Sequence, residues 1–196
     1  RRHIRRRISA LSEDLKELDE RRTRYRERRK KDGVLTVALV GYTNAGKSPL
    51  MNTLTDAGVL AEDKLFATLD PTARALTLPD GSSVLLIDTV GFIRRLPHKL
   101  VEAFKSTLDE AVDSNVILNI CDASSDECAE HYRVTNELLD ELGCADKPII
   151  TVLNKSDLVN DISIPLVGKC VRVSAKTGEG LDKLLEAVAA ALPPTR

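Results

Sequence analysis

Gly41-Tyr42-Thr43-Asn44-Ala45-Gly46-Lys47-Ser48 fits the pattern G-x-x-x-x-G-K-[ST] at every fixed position. Those residue types suit a polyphosphate. Gly41 and Gly46 let the backbone curl so that its N–H groups point inward at an anion. A helix starting here adds the positive end of its dipole. Lys47 can reach β- and γ-phosphates, and the Ser48 hydroxyl suits Mg²⁺. Other segments carry compatible chemistry. Asp88-Thr89-Val90-Gly91 begins with an acid that ends an apolar run, the place for a group that holds the Mg²⁺ shell. Gly91 has no side chain, so its N–H can face a γ-phosphate. Asn154-Lys155-Ser156-Asp157 has the form N-K-x-D. The Asp157 carboxylate can accept both N1–H and N2–H of guanine, a donor pair that adenine lacks. The Lys155 stem can lie against the base. In Ser174-Ala175-Lys176, the Ala175 N–H can meet the guanine O6. N-K-x-D alone is a weak signal, but all the motifs in this order leave little room for accident.

These residues need elements to hold them. Residues 34–40 form an apolar, β-branched run that reads as a buried strand, and the phosphate loop follows it directly. Leu50, Met51 and Leu54 are apolar at helical spacing. Residues 74–78 and 83–87 read as a hairpin turned at Pro79-Asp80-Gly81. Residues 116–120, 149–153 and 170–173 read as further strands. Helices are expected over 99–113, 127–142 and 181–192, the second closed by Gly143 and the third by Pro193-Pro194. Six strands alternating with helices predict a mostly parallel sheet covered on both faces. The chemical motifs then fall at the carboxyl ends of strands, where ligands sit in such sheets.

Composition narrows the class. Hydrophobic residues make up 42% and charged residues 30%, which fits a soluble globular chain. No apolar run approaches the roughly 18 residues of a membrane span. The N-terminus is basic and lacks the apolar stretch of a signal peptide. Arg1 stands where a start would have Met, so a piece of a longer chain is expected. Net charge is −1, but residues 1–31 hold 14 Lys/Arg against 6 Asp/Glu, and the rest holds 15 against 24. In that first stretch Ile4, Ile8, Leu11, Leu15 and Leu18 recur at steps of four and three, a coiled-coil-like seam. A basic helix over residues 1–32 is expected, broken at Asp32-Gly33, with a second domain over 33–196. Two readings of its arginines stand: a solvated outer face, or contact with nucleic-acid phosphates. Cys121, Cys128, Cys144 and Cys170 form no C-x-x-C pair, so buried free thiols in a reducing cytoplasm fit better than disulfides or zinc. His3, His98 and His131 are scattered, and each is expected to be solvated.

The chain resembles a Ras-like GTPase, and more closely the HflX family of ribosome-associated GTPases. The resemblance rests on GYTNAGKS at 41–48, DKLFATLDPT at 63–72, DTVGFI at 88–93, NKSD at 154–157 and SAKTG at 174–178. It covers residues 34–192 as a GTPase domain. It implies that Phe66, Ala67, Thr68, Leu69 and Asp70 belong to a switch segment at the nucleotide. Thr68 would close on Mg²⁺ and the γ-phosphate, with Thr72 near enough to contest that role. Catalytic roles would fall to Lys47, Thr68 and Gly91. A monomer in the cytoplasm is expected, and the resemblance also implies binding to the large ribosomal subunit and its rRNA. There the family splits or rescues stalled ribosomes. Phe92 stands where Ras-like enzymes carry the glutamine that orients water, which implies slow intrinsic hydrolysis. Pro49 replaces the family's usual Thr and removes a backbone N–H from the α-phosphate. Asn44 sits where related GTPases place an asparagine at a K⁺ site; the alternative is an asparagine that only braces its loop. Two other functions stay open: a nucleotide-gated binding module with negligible hydrolysis, and a tRNA-modification or ribosome-assembly GTPase.

Overall fold

The computed structural model describes residues 23–57, 73–89, 91, 108–160 and 168–194, together with Glu13, Glu17, Glu20 and Arg21. The chain divides into two compact units, Arg1–Val34 and Leu35–Arg196. In the first, residues 23–31 are helical. The helix ends at Gly33, left-handed at φ 68°, with the Val34 N–H donating to the Arg29 carbonyl at 3.0 Å. That is the six-to-one bond of a glycine-closed helix end. The seam residues Ile4 to Leu18 lie outside the described residues.

The second unit is a six-stranded sheet. Its elements in chain order are β1 (Thr36–Gly41), α1 (Lys47–Ala57), β2 (Ala73–Thr77), β3 (Ser83–Asp88), β4 (Val116–Asp122), α2 (Cys128–Glu141), β5 (Ile149–Asn154), β6 (Lys169–Arg172) and α3 (Leu181–Ala191). Residues 108–113 form a further stretch of helix. The strand order is β2-β3-β1-β4-β5-β6. All pairs are parallel except β2 with β3.

Alternation along the strands explains the two covered faces. Val37 and Leu39 of β1 point to one side, with Leu50, Met51 and Leu54 of α1 and Leu184 and Val188 of α3. Ala38 and Val40 point to the other, with Leu108, Ala111 and Leu139. A strand buried on both faces is mostly apolar, which is why residues 37–40 read as one unbroken run, while the buried Thr36 before them meets the Asn115 side chain. Burial also decides α1. Asn52, Thr53, Thr55 and Asp56 are poor helix formers, by a few tenths of a kcal/mol each. Fully burying an aliphatic side chain contributes roughly 1.5–3 kcal/mol, so Leu50, Met51 and Leu54 outweigh them.

Two expectations need correction. Cys170 is exposed, unlike Cys121, Cys128 and Cys144. It lies on β6, which among the described residues is an edge strand paired with β5 alone, and is covered less than the inner strands. His131 is not solvated: its ring stacks on Tyr42 with centroids 3.9 Å apart. His3 and His98 lie outside the described residues. Among the described residues no helix is long and apolar enough to cross a membrane.

Candidate nucleotide site

Parallel order brings the ends of β1, β3, β4 and β5 to one edge, and the phosphate loop crosses it. Each loop glycine yields space to a neighbour. A Cβ on Gly41 would run into the Ile120 carbonyl of β4, and one on Gly46 would run into the Asn154 side-chain amide. Gly46 also needs φ 90°, a region that other residues avoid. Lys47 is buried at 7% exposure. Its ammonium donates to the Gly41 carbonyl at 3.1 Å and the Tyr42 carbonyl at 2.9 Å. Burial pulls its pKa below the ordinary lysine value, and the nearby Asp88 charge opposes that shift. A Cβ on Gly91 would stand 2.9 Å from the Lys47 Nζ and 3.0 Å from Thr43. So Gly91 meets the lysine head closely, and only a glycine leaves the room. Thr43 and Asn44 are exposed, and Asn44 is left-handed at φ 65°.

Ser48 and Asp88, the two residues expected near a cation, are hydrogen-bonded to each other. The Ser48 hydroxyl donates to Asp88 Oδ2 at 2.6 Å. Asp88 Oδ1 is buried with no hydrogen-bond partner among the described residues. A hydroxyl beside a carboxylate with one orphaned oxygen is a hard-donor set that fits Mg²⁺. Thr89 does not face this site. Its hydroxyl donates to the Leu39 carbonyl at 2.6 Å and ties β3 to β1. Pro49 is exposed in the first turn of α1, where no intrahelical N–H is needed.

The base side is built around Asn154, which is 2% exposed. Its Nδ2 donates to the Ala45 carbonyl at 2.9 Å, and its Oδ1 accepts from the Ala175 N–H at 3.1 Å. One amide thus joins the phosphate loop to the Ser174–Lys176 segment. The Ala175 N–H was expected at the guanine O6. Here it is donated to Asn154 instead, because a buried amide oxygen needs a donor. The Thr53 hydroxyl lies 2.9 Å from the Ala175 carbonyl and 3.0 Å from the Pro49 carbonyl, with one proton between them. The Ser174 hydroxyl donates to Asp157 Oδ1 at 2.6 Å and holds that carboxylate in place. The buried Ser156 donates its N–H to the Val173 carbonyl at 3.1 Å, while Lys176 is exposed. Lys155 is left-handed at φ 61°, with its ammonium 2.5 Å from Asp122 Oδ2.

Phe66, Ala67, Thr68, Leu69, Asp70, Thr72, Val90 and Phe92 lie outside the described residues. Sequence reasoning missed Asp122, Thr53 and His131. Asp122 left a faint trace, since Asp-x-Ser after an apolar run is an Asx-turn pattern. Nothing in the sequence pointed to Thr53 or His131.

A family model described as "50S ribosome-binding GTPase" matches residues 36–155. A GTPase HflX of Caldanaerobacter subterraneus subsp. tengcongensis is 53% identical over 188 residues, covering 96% of this chain and 44% of that protein. A GTPase HflX of Lacrimispora saccharolytica is also 53% identical, over 94% of this chain and 44% of its own length. The chain therefore spans less than half of those curated relatives. The crystal structure of a GTP-binding protein from Sulfolobus solfataricus in complex with GDP superposes with a TM-score of 0.67 at 27% identity, covering 95% of this chain and 57% of that one. Sheet order and loop chemistry agree with these likenesses, and the chain belongs to the 50S ribosome-binding GTPase family, among the HflX GTPases.

Proposed function

We propose that this chain binds GTP and GDP with Mg²⁺, hydrolyses GTP slowly, and works in the cytoplasm as a monomer on the large ribosomal subunit and its rRNA, in splitting or rescue of stalled ribosomes. The observation that carries the nucleotide reading is Asn154, whose single amide joins the phosphate loop to the base-side segment. Ser48 would hold Mg²⁺ directly and Asp88 through water, with Thr68 added in a closed state. When bound, the ion neutralises phosphate charge and fixes its geometry. The chain's own groups do the rest. The Lys47 ammonium has three donors, so it can hold the Gly41 and Tyr42 carbonyls and still donate to a phosphate oxygen. Its depressed pKa marks a desolvated ammonium, and an anion there restores the preference for charge. The Gly91 N–H, beside Lys47, faces the same oxygens. Asp157, held by Ser174, selects guanine.

Phe92 can neither donate nor accept the hydrogen bond that orients the attacking water. Turnover then depends on a partner, and large subunits are expected to raise it. GTP turnover with and without large subunits tests this; equal rates overturn the ribosomal reading. Pro49 and Phe92 together favour a second reading, a nucleotide-gated module with negligible hydrolysis. Titration separates base recognition from both. Asp157→Asn should weaken GDP sharply and improve XDP, whose base carries a carbonyl where guanine has an amino group. Equal affinity for the two would overturn the guanine assignment. K⁺ at Asn44 would supply part of what Phe92 cannot. Identical rates in KCl and NaCl at matched ionic strength would remove that cation.

A further inference from the structure

We infer that Asp122, outside every motif described above, is a positioning residue that holds the Lys155 side chain as one wall of the base site. The inference rests on the nucleotide reading and adds to it a group from a different strand. Asp122 ends β4 and lies in register beside Asn154, the end of β5. The Ala123 N–H donates to the Asn154 carbonyl at 2.9 Å and locks the two strand ends together. The carboxylate is shared between two tasks. Oδ1 accepts from the Ser124 N–H at 3.0 Å and its hydroxyl at 2.6 Å, which fixes the carboxylate's orientation. Oδ2 is then aimed at the Lys155 ammonium, 2.5 Å away.

Lys155 is pinned at both ends. Its backbone takes a left-handed conformation uncommon for a residue with a side chain. Its far end is held by Asp122. A four-carbon stem fixed at both ends occupies one path, and the entropy that a free lysine would lose on nucleotide binding is already spent. The side chains are 28% and 14% exposed, so salt screens this pair less than a surface pair. Burial alone would push the Asp122 carboxyl up, but the bonds from Lys155 and Ser124 outweigh it and hold the group below its ordinary value. Asp122 therefore stays charged at any pH where the protein works. Without it the ammonium turns out to water and takes the stem with it.

Calorimetric titration of the full chain with GDP, together with GTP turnover, tests the inference. Asp122→Ala should weaken GDP and GTP alike by roughly tenfold, the loss expected from one charge-assisted contact. It should raise KM and leave kcat unchanged, because the base is bound equally before and during reaction. Asp122→Asn, which still accepts from Ser124, should show the same loss, and serves if the alanine variant melts early. In a Lys155→Ala background, Asp122→Ala should cost less than about twofold more, since nothing is left to position. Parent-like GDP affinity in both Asp122 variants, or losses that multiply with that of Lys155→Ala, overturns the inference. If Asp157→Asn also binds GDP like the parent, the base-site reading itself has failed.

Discussion

Pro49 and Asp122 show how much a single position decides. An N–H donated to a phosphate is worth about 1.5–3 kcal/mol. Pro49 lacks that donor and lies exposed beside the loop. Pro49→Thr should tighten GDP and GTP together by roughly 10- to 100-fold, at about 1.4 kcal/mol per tenfold. Calorimetry of both proteins with GDP reads this directly, and unchanged affinity would leave Pro49 as only a tolerated helix start. Asp122 makes stability depend on pH. Its folded pKa lies below the ordinary 3.8. Above about pH 5 the unfolded chain is also ionised, and the contribution of the carboxylate to stability is complete. As the pH falls through the folded value, the group protonates in both states and that contribution is lost. The gap in melting temperature between the protein and Asp122→Asn should be constant from about pH 6 to 8 and shrink below about pH 4.

At the scale of elements, the loops are built by neighbours rather than by themselves. Gly46→Ala would force a methyl group onto the Asn154 amide at φ 90°. Strain and the displaced amide together should cost about 1–3 kcal/mol of stability, with GDP binding weakened as well. Thermal melts with and without GDP separate the two effects. The inner strands were legible because burial on both faces makes them mostly apolar, with Asn119 and Thr151 as buried polar exceptions. Residues 116–120 and 149–153 fall inside β4 and β5 as observed. The edges were read less well. The last strand was expected at 170–173 and lies at Lys169–Arg172, with Cys170 exposed. An edge strand has weaker apolar alternation, so its register and facing are harder to read. Within the site, the phosphate loop was legible because its spacing is local. The Asp122–Lys155 pair was not, because the partners are 33 residues apart and meet only through strand register.

The whole molecule comprises two units. The strands, the loops and Asn154 all belong to Leu35–Arg196. A chain starting at Leu35 should therefore melt cooperatively and keep its GDP affinity within about twofold. If the arginines of the first unit meet rRNA phosphates, the same truncation should lower ribosome co-sedimentation and flatten its salt dependence, by about one unit of slope per lost contact. Loss of GDP binding on truncation would show that the units are not independent.

The strand order has a consequence for how the protein is born. β1 is made before the other strands of this sheet, yet it lies third in it, between β3 and β4. A growing chain has β1, the phosphate loop, Asp88 and Gly91 long before it has Asn154. Ser174 to Lys176 emerge later still, ahead of α3. A nascent chain that ends before Asn154 carries the phosphate side of the site without the base side. Within this unit the groups proposed to select guanine are therefore made after those proposed to hold phosphate.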